Sequence, residues 1–129
     1  MIGKTIKSIL TTNNALIALV PASNIYPYVA NSGTSLPVIV YTIDSIEPQY
    51  TKGGWVNDLV NFSVHSFSRD YNNLQSIVSA VRNALELNES GYGTQNINKI
   101  YLGTLDEGYD NAGDIFYNTL TFSVRINTY

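Results

Sequence analysis

The stretch VNFSVHSFSRDYNNLQSIVSAVRNAL, Val60 to Leu85, changes its hydrophobic period from two to about 3.6 within a few residues. Val60, Phe62 and Val64 alternate with Asn61, Ser63 and His65, the pattern of a strand with one face inward. Ser68 or Asp70 supplies a side-chain oxygen to cap a helix. Tyr71, Leu74, Ile77, Val78, Val81 and Leu85 then fall on one helical stripe, which ends before Gly91. A half-buried strand running into an amphipathic helix implies a sheet with helices laid against it.

Working outward, Ile2, Ile6, Ile9 and Leu10 recur at helical spacing, and Leu16, Leu19 and Val20 continue the apolar face. Thr11-Thr12-Asn13-Asn14 interrupts it, and Asn13 or Asn14 is placed to cap a second helical piece. Pro21 ends the segment, because the residue before a proline is pushed out of helical geometry. Ile25-Tyr26 reads as a short strand before Pro27, and an uncharged loop leads to Leu36–Ile43, a strand apolar on both faces. Glu47–Trp55, with adjacent glycines, reads as a turn or projecting arm. Asn96–Leu105 is a further strand, and residues 106–114, DEGYDNAGD, form an acidic turn. In the last strand Leu120, Phe122, Val124 and Ile126 alternate with Thr119, Thr121, Ser123 and Arg125. The expected fold is α+β: a four-stranded, mainly antiparallel sheet with two helices packed on one face, in the order helix-strand-strand-helix-strand-strand. No composition break divides the chain, so residues 1–129 are expected to form a single domain.

Charged residues make up only 13% of the chain, with Asn, Ser, Thr and ten tyrosines filling the surface. Such a surface is cheap to bury against another protein, since few ions need desolvation. The net charge is −3 and no basic block is present, which argues against sequence-specific nucleic-acid binding. The absence of cysteine excludes disulfides and thiol chemistry and fits a reducing compartment. The opening MIGKTIKSIL lacks the apolar core and cleavage site of a signal peptide, and no run approaches a membrane span.

Catalytic chemistry finds no support. His65, the only histidine, faces outward on its strand, with no carboxylate two residues away to orient it. Asp106, Glu107, Asp110 and Asp114 are the one acidic cluster. Their spacing does not match the calcium loop of paired-helix proteins, so they read as a solvated turn or an inter-subunit contact. No phosphate loop, nucleophile elbow or paired histidines appear, and neither metal nor cofactor is expected. Trp55 beside Gly53-Gly54 either packs back on its own sheet or anchors on a neighbouring subunit, with Tyr50 and Lys52 travelling with it. Lys4 and Lys7 share one turn of the first helix and form a second, smaller contact patch.

The ordered whole resembles a known family. The stretches that carry this are ALIALVPASNIYPYVA, LPVIVYTI, VNFSVHSFSRDYNNLQSIVSAVRNALE and IFYNTLTFSVRI, spread over residues 13–126. In that order they look like the tail-completion, or head-to-tail joining, proteins of long-tailed bacteriophages and prophages, which are related in fold to tail terminators. Asn57, Asp58 and Asn61 stand where that family carries an arginine early in the second strand. The resemblance implies a structural virion protein, assembled in the host cytoplasm. It would form closed rings, six-fold or of higher order, between the portal-associated connector and the tail-tube protein, with DNA passing through the lumen and no membrane involved. It also implies that Gln49–Asn57 reaches a neighbour or the tube, and that the 106–114 turn lines the lumen or faces another ring. The alternative reading is a small intracellular protein-binding or adaptor domain.

Overall fold

The computed structural model describes residues 2–29, 36–86, 91–92, 95–97 and 100–128, and for residues 2, 55, 56, 91, 92, 95–97, 127 and 128 the backbone alone. Helices α1 (Ile2–Thr12) and α2 (Asn14–Ile17) are followed by a 3₁₀ turn at Ala22–Asn24 and strand β1 (Ile25–Pro27). A long hairpin of β2 (Val38–Thr51) and β3 (Gly54–Ser68) leads into α3 (Tyr71–Leu85). Short strands β4 (Gly91–Tyr92) and β5 (Gln95–Ile97) precede a second hairpin, β6 (Tyr101–Asp110) and β7 (Ile115–Thr128).

These elements correct the expected four strands and two helices. Among the described residues there are three α-helices, and the strands form one sheet in the order β1-β2-β3-β7-β5-β4, with β6 also paired to β7. β1 lies parallel to β2, so the sheet is mixed. β4 and β5 are two- and three-residue additions at the β7 end of a five-stranded body, β1-β2-β3-β7-β6. The first helix is two, because Asn13 leaves helical geometry and its side chain accepts from the Leu16 amide at 3.0 Å, starting α2 afresh. The expected strand over 96–105 is split between β5 and β6, with a register shift between Leu102 and Thr104. The expected acidic turn over 106–114 is mostly strand: Asp106–Asp110 pair with Ile115–Thr119, and only residues 111–114 turn. β6 has no apolar alternation because nearly all of its side chains are exposed or half-exposed. Backbone pairing to β7 orders it, and side-chain pattern does not report that.

The core lies on one face of the sheet. Ile39 and Tyr41 of β2, Val60, Phe62 and Val64 of β3, and Leu120, Phe122, Val124 and Ile126 of β7 point to this side. They meet Leu74, Ile77, Val78, Val81 and Leu85 of α3, Ile6, Ile9 and Leu10 of α1, and Leu16 of α2. Asp70 caps α3 by accepting from the Asn72 amide at 3.0 Å, which settles the choice left open with Ser68. On the other face Val38 and Val40 of β2 are also buried, as two-sided apolarity predicts for this strand.

Val81 is completely buried in this cluster. Val81→Asp should therefore cost at least ~3 kcal/mol, read as a lower urea midpoint at unchanged slope.

Candidate functional site

The face of the sheet away from the helices is polar around its centre. His65 on β3 lies opposite Val40 and Thr119. Its Nδ1 is 2.9 Å from Thr119 Oγ1 and its Nε2 is 3.5 Å from Thr42 Oγ1. Thr42 Oγ1 in turn donates to Asp44 Oδ1 at 3.0 Å, and Ser63 Oγ donates to Asp44 Oδ2. Both imidazole nitrogens are thus engaged by threonine hydroxyls in a ladder across β2, β3 and β7. The carboxylate that sequence inspection sought along β3 comes instead from the neighbouring strand, two residues beyond Thr42. The ladder ties the three strands together. Among the described residues no group of three or more His, Asp or Glu is arranged to hold a metal ion.

Tyr50, Lys52 and Trp55 are brought together at the tip of the β2–β3 hairpin, where Tyr50 pairs with Trp55 and Thr51 with Gly54. The Gly53 amide donates to Thr51 Oγ1, and Gly54 has φ +113°, a conformation that β-carbon-bearing residues rarely adopt. Pairing of β3 with β7 begins only at Asp58–Ile126, so the tip stands out as a two-stranded ribbon. Tyr50 is 71% exposed and Lys52 is exposed. The Trp55 side chain lies outside the described residues, so neither expectation for it is decided. Lys4 and Lys7 are both exposed on α1, apart from the tip.

The acidic residues are separated by the pleat of β6. Asp106, opposite Thr119, points to the polar face. Glu107 points to the helix side, where it accepts from Tyr71 Oη at 2.9 Å and from Gln75 Nε2 at 3.2 Å. It therefore clips β6 to the first turns of α3. Asp110 closes the strand, and its Oδ1 accepts from the Ala112 amide at 3.1 Å. Around this hairpin end lies an aromatic cluster that sequence reading did not single out. The Tyr71 ring meets Phe116 edge-on at 5.4 Å, and Tyr109 lies 4.7 Å from the same ring. Tyr109 Oη donates to Asp114. Hydrogen bonds to Glu107 and to Asp114 raise the phenols of Tyr71 and Tyr109 above their ordinary value. The Tyr117 ring lies across Gly108 so closely that a β-carbon there would come 2.5 Å from its hydroxyl. Phe67, Tyr109, Asp110, Ile115 and Tyr117 together line an open groove of about 480 Å³. The only signal of this cluster in the sequence was the tyrosine count.

The family described as Tail completion protein gp17 matches residues 4–127. No curated protein matches the sequence. Among solved structures, a chain of the "Virion of native gene transfer agent (GTA) particle" is similar in fold, with TM-score 0.80 and 14% identity over 95% of this chain and 91% of that one.

The Tyr71–Glu107 bond gives a sign-defined pH dependence. A raised phenol contributes stability that is complete below the unfolded value of about 10 and is lost as pH rises through the folded value. The melting-temperature difference between the native chain and Tyr71→Phe should be constant from neutral pH to about 9 and shrink above about 10.

Proposed function

The chain belongs to the tail completion protein gp17 family, and from that premise we propose that it acts as a single domain forming one subunit of a closed ring at the head–tail junction. It is a structural, non-enzymatic virion protein. The observation that carries the proposal is the family match over nearly the whole chain, from residue 4 to residue 127. The likeness to a chain of a gene transfer agent virion supports the same reading.

In this reading the ring is six-fold or of higher order and is seated between a portal-associated connector and the tail-tube protein, having assembled in the host cytoplasm. Its physical chemistry suits that place. A passage for sliding duplex must offer few phosphate contacts, since each would retard the DNA. A chain with seven Lys and Arg against ten Asp and Glu meets that condition. Its contacts with other subunits are made by Tyr50, Lys52 and Trp55 at the arm tip and by Asp106 and Asp110 on β6. Glu107 contributes by fixing β6 to α3. Lys4 and Lys7 form a further patch on α1. An isolated two-stranded ribbon such as the arm is marginal in water and gains order from a partner.

Two experiments test this. Particles assembled without the chain should accumulate as unjoined heads and tails in electron micrographs, whereas complete, infectious particles would overturn the proposal. Deleting Thr51–Trp55 should lower the mass of the assembly formed with the connector or tube protein, measured by light scattering. An unchanged mass would remove the arm from the interface.

A further inference from the structure

Resting on the ring reading, we propose that the arm tip of one subunit, Tyr50 with Lys52, seats in the aromatic groove beside the β6–β7 turn of the next copy of this chain, with Lys52 facing Asp110. Three observations carry it.

The first is charge. Lys52 is the only cation between Asp44 and Asp58, and it is exposed at the very turn of the arm. The hairpin from Tyr101 to Ile115 has no cation and four acids, Asp106, Glu107, Asp110 and Asp114. Glu107 is engaged by Tyr71 and Gln75, Asp114 by Tyr109, and one carboxylate oxygen of Asp110 by the Ala112 amide of its own turn. Asp110 lines the groove itself.

The second is shape and chemistry. The groove is walled by Phe67, Tyr109, Ile115 and Tyr117, and Tyr109 and Tyr117 are 41% and 39% exposed. At about 480 Å³ it accommodates one or two side chains. Tyr50, the most exposed large aromatic of the described residues, provides an apolar ring that such walls would remove from water. Burial of the rings holds the contact, and the ion pair, exposed at the rim, orients it.

The third is position. The tip lies at the start of β3 and the groove at its end, beside Phe67. Thirteen residues of extended strand separate Gly54 from Phe67, which is roughly 43 Å. The two surfaces cannot meet within one subunit. Complementary surfaces at opposite ends of a molecule make a head-to-tail contact, and head-to-tail contacts related by rotation close into a ring.

The chain has no cysteine, so the introduced thiols are the only ones it carries and links between its own copies report on them alone. The experiment compares assembled particles carrying Lys52→Cys with Asp110→Cys against particles carrying Lys4→Cys with Asp110→Cys, each treated with a short bis-maleimide. All three positions are exposed, so folding is spared. The first pair should give a ladder of linked subunits ending in a closed-ring band, and the Lys4 pair should remain monomeric. In a parallel arm, Lys52→Glu or Asp110→Lys alone should weaken subunit association roughly five-fold, and the two together should restore it. Rings in the micrographs without the ladder, or an equal ladder from the Lys4 pair, would overturn this contact and leave the ring reading intact. A ladder without rings would uphold the contact and overturn the ring. Neither ladder nor rings would overturn both.

Discussion

Phe62 and Phe122 face each other across the central strands β3 and β7, with ring centroids 5.4 Å apart, planes within 20° and no exposure to solvent. Above them lies the stripe of α3, and on either side along the strands lie Val60, Val64, Leu120 and Val124. A slip of β7 by one residue against β3 would turn Leu120, Phe122 and Val124 to the polar face and bring Thr121 and Ser123 under the helix. The stacked pair, together with its neighbours, locks the register at the centre of the sheet. The remaining features of the molecule inherit their positions from that lock.

The inheritance can be followed outward. With Phe62 opposite Phe122, His65 must stand opposite Thr119, and the hydroxyl–imidazole ladder to Asp44 becomes available on the open face. With β7 so placed, β6 must present Glu107 to α3, where Tyr71 and Gln75 bind it. The same register sets where pairing ends. β7 stops near Asp58 of β3, leaving the β2–β3 tip projecting, while at the other end Phe116 pairs with Ser68 and gathers Tyr71 and Tyr109 around itself. Two differently built ends on one rigid sheet give a structural subunit direction, as head-to-tail association requires.

The low charge of the chain belongs to the same design. Polar but uncharged residues keep the open face wet enough to avoid indiscriminate adhesion, yet they release water more readily than ions do. Hydrogen-bonded ladders of Ser, Thr, Asn and His settle their polar atoms internally, as between Asn61 and Ser45 at 2.9 Å. Glu86 shows the contrast. It caps the C-terminal end of α3, half-exposed, and its carboxyl is held below the usual range by the bond from Arg82, a surface pair that contributes little to stability.

Sequence by itself determined those elements whose burial is one-sided and periodic. Strands β3 and β7, the stripe and capping oxygen of α3, and the apolar entry into β2 were all readable, because alternate burial writes a period of two or 3.6 into the residues. The tip carrying Tyr50, Lys52 and Trp55 was readable for a related reason, since paired glycines mark a turn. Only the tertiary structure decided the rest. Ile25-Tyr26 reads as a short strand and the structure adds its parallel partner, β2, whereas Asp106–Asp110 are strand because β7 pairs with them, although their composition is that of a turn. The partnership of Glu107 with Tyr71, of His65 with Asp44 through Thr42, and the groove walled by Phe67, Tyr109 and Tyr117 join residues from different strands and helices. Long-range pairing of backbone groups carries no local side-chain pattern, so no window of sequence could have contained it.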